Sequence, residues 1–336
     1  MKKRKKILII IILLFILIFI SLFLGRYKIS PARYYNIIKV LIGVDNPDKL
    51  GKDWSVFYFI RLPRVILVAA VGMALSVTGA AYQSMFRNPL VSPDILGVTA
   101  GASFGVALGM FLTVDSLYII YLLAFIFGIT AVFITYAIAR HGKGNIVMMM
   151  VLSGIIVSSL FNAMISLIKY IADPYDKLPG IVFYLMGGFN RIGWEELKFT
   201  IPIIFIGLIM IYFMRWYLNV MAMGDEEALS LGINVKILRI AIIIITTFMV
   251  AVGVATTGQV TWIGLIVPHI ARYLIGTDHR FMLPAAGLTG ALLLLIMDNL
   301  ARTLTTAEIP ISIITAFVGA PFFAYLLIKR RGSGWA

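Results

Sequence analysis

Along this chain long uncharged, apolar runs alternate with short polar segments. The runs lie at 7–24, 65–86, 95–114, 116–139, 144–168, 199–214, 240–271, 281–297 and 309–328. About twenty apolar residues cross a bilayer core as a helix, so each run of that order predicts one crossing. The run at 240–271 is too long for one and is interrupted by Thr256-Thr257-Gly258-Gln259, with Pro268 further on. It divides into a helix ending near Ala255 and an element from Trp262 to about Ile275. That second piece is short enough to be either a stubby crossing or a re-entrant half-helix.

Charge decides between the two. Lys2, Lys3, Arg4, Lys5 and Lys6 at one terminus, and Lys329, Arg330 and Arg331 at the other, place both ends in the cytoplasm. Two ends on one side require an even number of crossings, so the short element crosses and the total is ten. The expected fold class is an all-α integral membrane protein with ten transmembrane helices. It forms a single domain over 1–336 in the plasma membrane, with extracellular loops at about 25–60 and 170–195. The first run is read as a retained helix, because its eighteen uncharged residues exceed a signal peptide's core and no Ala-x-Ala-like site follows.

Composition agrees: 61% of residues are hydrophobic and 13% charged, far from the balance of a soluble domain. A net charge of +14 fits topology and anionic lipid headgroups better than nucleic acid. The absence of cysteine excludes disulfides and thiolate metal sites and is silent on redox compartment. Much outward-facing charge falls between Arg26 and Arg64, partly offset by Asp45, Asp48 and Asp53. Arg61 and Arg64 stand at the outer mouth of the second crossing, aimed outward either as headgroup anchors or as a platform for an acidic partner.

The third crossing carries Gly97, Gly101, Gly105 and Gly109 at four-residue spacing, one face that lets another helix approach closely. Gly72, Ser76 and Gly79 form a looser stripe on the second, so these two crossings are expected to pair. Ser92-Pro93-Asp94 reads as the start of the third, with Ser as N-cap and Pro at the first helical position. GKGN at 142–145 lacks the spacing of a phosphate loop. His141, His269 and His279 have no ligand spacing, and no metal site is expected. Asp298 is the one acid well inside a crossing, a turn from Arg302, as in a satisfied pair rather than a proton relay. A conduit driven from outside is the reading that remains, ahead of an ion-coupled secondary carrier or a channel.

GDEEALSLGI at 224–233 places acids in a loop on the cytoplasmic side. Asp225 is expected to cap a short helix, with Glu226 and Glu227 in its first turn and Gly232 ending it. Two turns are unstable alone. Either this is a solvated loop, or it docks on a cytoplasmic motor through its acids and through Ala228, Leu229 and Leu231.

Six stretches together carry a family resemblance: RLPR at 61–64, GAAYQSMFRNPLVSPDILG at 79–97, DPYDKLPGIVFYLMGG at 173–188, MGDEEALSLGI at 223–233, TWIGLIVPHIAR at 261–272 and EIPISIITAFVGAPFFAYLL at 308–327. The chain resembles the permeases of ATP-driven importers for iron–siderophore complexes, haem and cobalamin. Its departures are Val91, where Ala is common, and Gln259 to Trp262. The resemblance implies the type II ABC importer permease architecture, a homodimer in the lipid bilayer, two cytoplasmic ATPase subunits that hold ATP and Mg, and an extracellular substrate-binding protein. It further implies that 223–234 is the cytoplasmic coupling segment, with Gly224, Asp225, Glu226, Glu227, Ala228, Leu229, Leu231 and Gly232 meeting the ATPase. Arg61, Arg64 and Arg302 would receive the binding protein, and Asn88, Leu90, Val147 and Met148 would form the cytoplasmic gate. The same fold importing molybdate or tungstate is the alternative.

Overall fold

In hydrocarbon every backbone N–H and C=O must find a partner inside the protein, so apolar runs of this length become helices. The computed structural model describes residues 2–113, 116–142 and 146–329. Residues 143–145 of the GKGN stretch, the Val147 side chain, and Arg330 and Arg331 lie outside the described residues. Seven long apolar helices and three shorter ones make up the ten crossings. They are α1 (Lys2–Phe23), α4 (Leu62–Met85), α5 (Val98–Phe111), α6 (Leu117–His141), α7 (Ile146–Ile171), α9 (Trp194–Phe213), α12 (Val235–Thr257), α13 (Ile263–Ile275), α14 (His279–Thr303) and α15 (Ile311–Lys329). The run at 240–271 divides as its polar interruption predicts.

Five shorter helices lie between them: α2 (Pro31–Leu41), α3 (Lys52–Ser55), α8 (Lys177–Leu185), α10 (Arg215–Met221) and α11 (Asp225–Ser230). The segments expected as loops at 25–60 and 170–195 are thus partly helical. A wide π turn over Val56–Arg61 joins α3 to α4, so the second crossing starts well before residue 65. Helices α4 and α14 run antiparallel, with Arg64 beside Asp298 at one end and Ser84 beside His279 at the other. Lys6 at the start of α1 donates to the Leu274 carbonyl at 2.7 Å, and Lys3 lies over the Phe281 ring. The amino-terminal lysines, the end of α4, α10, α11 and the start of α14 therefore share one end of the bundle, called here the lysine end. The tail of α1, α2, α8 and the α14–α15 loop share the far end.

Small residues set which helices touch. A Cβ on Gly79 would lie 1.8 Å from the Gly264 carbonyl oxygen of α13, and one on Gly72 would lie 2.5 Å from the Gly290 carbonyl oxygen of α14. The stripe on α5 meets α6 instead: Gly101 faces the Phe127 carbonyl, Gly105 that of Leu123, and Gly109 the Ile120 side chain. The expected pairing of the second and third crossings is therefore corrected. Their stripes serve different neighbours.

The start of α5 is also corrected. Ser92-Pro93-Asp94 lies in a turn before the helix, and Gly97, with φ +83°, is the N-cap. At 14 residues α5 rises about 21 Å, less than the hydrocarbon core. Non-helical backbone at membrane depth is tolerated only inside protein. Accordingly Val91 and Ser92 are buried, Ile95 and Leu96 N–H bond Ser92 O, and Thr99 Oγ1 donates to Asp94 at 2.7 Å. A matching interruption at 258–262 precedes α13, where Gln259 Nε2 donates to Ser103 Oγ at 3.0 Å.

The close approaches differ in what they tolerate. Gly79→Ala forces two backbones apart and is expected to destabilise by about 1–3 kcal/mol. Gly128→Ala, where a Cβ meets nothing nearer than 3.6 Å, is expected to be neutral or to stabilise by up to about 1 kcal/mol. Thermal unfolding of the purified variants in one detergent checks the order; a Gly79→Ala protein as stable as wild type would refute the α4–α13 contact.

Candidate functional site

At the lysine end, the end of α4, α10, α11 and the start of α14 converge. Helix α11 begins at Gly224, its N-cap, and no side chain caps it. Asp225 is not the cap, contrary to expectation. Its carboxylate accepts from Arg239 of α12, both oxygens at 3.1 Å. Gly232, at φ +75°, ends the helix: its N–H bonds Leu229 O at 2.9 Å and that of Ile233 bonds Ala228 O at 3.0 Å, the paired bonds of a left-handed glycine terminus.

Burial divides the residues of this segment. Ala228 is wholly buried and anchors α11 to the bundle, so it is not available to a partner. Glu226, Glu227, Met223, Leu229 and Leu231 are exposed. Two acids and three large apolar side chains thus share a surface with no cover from the chain itself. Beside it opens a cavity of about 1100 Å³ lined by Trp216, Met223, Leu231, Asp278 and Arg280, among others. The Arg280 guanidinium, bonded to Asp278, holds that carboxyl down to about 2.

Two chains of contact lead from α10 and α11 to the end of α4. In the first, Arg239 bonds Asp225 and lies 5.8 Å from the Phe86 ring centroid; Phe86 is the buried C-cap of α4. Arg87 also reaches toward Gly224. In the second, Asn219 Oδ1 accepts the His279 backbone N–H at 2.9 Å and lies 2.7 Å from His279 Nδ1. That places the ring proton on Nδ1 and leaves Nε2 facing the Ser84 hydroxyl, 2.6 Å away, whose one proton is shared between Nε2 and the Ala80 carbonyl at 2.9 Å. Asn219 Nδ2 in turn donates to Asp278 at 3.2 Å.

The turn beyond α4 holds the predicted gate residues. Asn88 Oδ1 accepts the Leu90 N–H at 2.9 Å, and the Pro89 carbonyl lies 3.0 Å from His269 Nε2. Met148, 64% exposed, stands at the start of α7.

At the far end the three arginines converge, but they are not aimed outward. Arg61, Arg64 and Arg302 are 3%, 5% and 4% exposed. Arg61 donates to the carbonyls of Leu22 at 2.8 Å and Phe23 at 3.0 Å, and also to Tyr27 O and Tyr34 Oη. Arg302 donates to Ser21 O and Asn299 Oδ1. Both close off the tail of α1. Arg64 forks onto Asp298, with Nη2 at 2.8 Å, and onto Glu308, with Nη1 at 3.0 Å and Nη2 at 2.9 Å. Asp298 lies 3.7 Å from Arg302, so its main partner is on α4 and not one turn along its own helix. Arg64, unlike Arg61 and Arg302, lines a cavity of about 310 Å³ with Asp298, Glu308, Asn190 and Arg191.

Sequence reading missed Arg239, Phe86, Asn219 and Glu308. Glu308 stands inside a quoted motif without a role, and His279 is read there only as structural. For Arg239 and Asn219 the available signal was a polar residue near the end of an apolar helix; Phe86 carried none.

Comparison with known proteins places the geometry in context. The pattern of the FecCD transport family matches residues 13–329. The molybdate import system permease protein of Haemophilus influenzae is 38% identical over 94% of this chain and 93% of its own length. The hemin transport system permease protein of Yersinia pestis is 36% identical over 83% of this chain and 84% of its own. A solved structure of a metal-chelate type ABC transporter in an inward-facing conformation is 37% identical and superposes with a TM-score of 0.85, covering 97% of this chain and 99% of that one. A family pattern spanning nearly every crossing, on a fold shared over almost the full length, shows that this chain belongs to the FecCD transport family of ABC importer permeases.

Proposed function

We propose that this chain is the membrane pathway of an ATP-driven importer that hands an intact metal chelate, such as an iron–siderophore complex, haem or cobalamin, across the plasma membrane. It works as a homodimer with two ATPase subunits, which hold ATP and Mg, and with an extracellular binding protein. The lysine end faces the cytoplasm, as its amino-terminal lysines favour. The observation that carries the reading is α11: an uncovered acidic and apolar surface whose inner side is bonded to the chain leading to the gate turn.

Mechanically, closure of the ATPases would press on Glu226, Glu227, Leu229 and Leu231. The push reaches α4 twice, through Asp225, Arg239 and Phe86, and through Asn219, His279 and Ser84. Either path moves the turn at Asn88 and Leu90 and so changes access to a central pathway. Covalent chemistry is not required of the chain, and a pathway must release its cargo rather than bind it tightly.

Molybdate is the second reading, favoured by the Haemophilus influenzae relative. Uptake of radiolabelled ferric siderophore, haem, cobalamin and molybdate by proteoliposomes holding the whole complex separates the two. Uptake of a chelate without molybdate is expected; molybdate uptake alone would overturn the chelate reading.

For α11, Glu226→Lys with Glu227→Lys is expected to lower ATPase co-purification at least about fivefold with unfolding temperature unchanged, since both side chains are exposed. Unchanged co-purification would contradict the docking role. For the second path, Ser84→Ala and His279→Ala are expected to keep ATP hydrolysis while uptake per ATP falls several-fold. Equal loss of both activities would make these residues merely structural.

A further inference from the structure

We propose that the cavity beside Arg64 receives an acidic side chain of the extracellular binding protein, and that Glu308 occupies that place until the partner docks. The inference rests on the docking reading above and changes which residues carry it.

The cluster holds three guanidinium groups, Arg61, Arg64 and Arg302, against two carboxylates, Asp298 and Glu308. One positive charge is left over in a buried setting, where charge pairs interact strongly. Arg61 and Arg302 are engaged by the carbonyls at the tail of α1 and by Asn299, and neither lines the cavity. Arg64 does, and its two acids differ sharply. Asp298 is 1% exposed on a helix, while Glu308 is 28% exposed in the loop between α14 and α15.

Asp298 is therefore the permanent counter-ion and Glu308 the replaceable one. An incoming carboxylate can take the Glu308 bonds with no net change in paired charge at Arg64, and Glu308 passes to water without leaving a buried unpaired group. Arg191, exposed at the same cavity, adds attraction for an acid on approach. Glu308 is joined to the rest of the far end through Ile311, whose N–H bonds Gly187 O at 3.1 Å, and Ser312, whose Oγ donates to Met186 O at 2.6 Å. Its release thus gives docking a route to the α8–α9 turn.

The sign of the effect makes the test. The full transporter, carrying wild-type or variant chain, is immobilised in nanodiscs and titrated with the binding protein encoded beside it. Glu308→Gln is expected to tighten binding at least about threefold, because a competitor is removed. Glu195→Gln, which removes an exposed acid paired with Lys198 at the same end, is expected to change affinity far less. Equal tightening by both would reduce the effect to net charge and overturn the proposal, as would unchanged or weaker binding by Glu308→Gln. If Glu308→Gln does not fold, Glu308→Asp, too short to hold both Arg64 nitrogens, must bind tighter than wild type, and failure to do so overturns it equally. Absence of capture by wild type would instead overturn the docking reading itself.

Discussion

Helix α4 meets its neighbours backbone to backbone, at Gly79 against Gly264 and Gly72 against Gly290, and the function of both ends depends on that closeness. In lipid no hydrophobic drive holds helices together, so association rests on close contact and internal bonds. With backbones in contact at these glycines, α4, α13 and α14 shift together more readily than they part. A displacement applied at one end of α4 is thereby available at the other.

The two ends of α4 are then built differently for that shared rod. At the lysine end its last turns are held by a hydrogen bond between neutral groups, Ser84 to His279, and by the Phe86 ring beneath the Arg239 guanidinium. Such contacts reorganise at moderate cost, about 1 kcal/mol per neutral hydrogen bond. At the far end Arg64 is tied to Asp298 by a buried, forked ion pair, and breaking such a pair by removing one partner costs about 3–5 kcal/mol. In the proposed cycle the far end serves as a pivot with one exchangeable contact, and the lysine end as the part that moves.

Much of the fold was legible because its signals are local. Apolar length gave the crossings, the polar Thr256-Thr257-Gly258-Gln259 stretch divided the long run, and Gly232 ended α11 because a left-handed terminus favours glycine whatever surrounds it. What failed depended on partners distant in the chain. A glycine stripe says that a helix comes close and not which one, so it does not tell that α5 packs on α6 rather than on α4. Ser92-Pro93-Asp94 looks like a helix start in solvent, yet here the segment is buried and Asp94 is taken by Thr99. Asp225 has the position of a cap, and Arg239, fourteen residues on, claims it. Arg61, Arg64 and Arg302 do lie together at one end, but nothing in their spacing reveals that the carbonyls of α1 and the carboxylate of Glu308 turn them inward.

The central claim is that this chain is a pathway without a drive of its own. Cargo uptake into proteoliposomes, measured for the purified chain alone and for the chain with its ATPase and binding protein, tests it most directly. Uptake by the complete assembly that requires ATP, with none by the chain alone under an imposed proton or sodium gradient, is the predicted result. Concentrative uptake by the chain alone, driven by either gradient, would contradict the account.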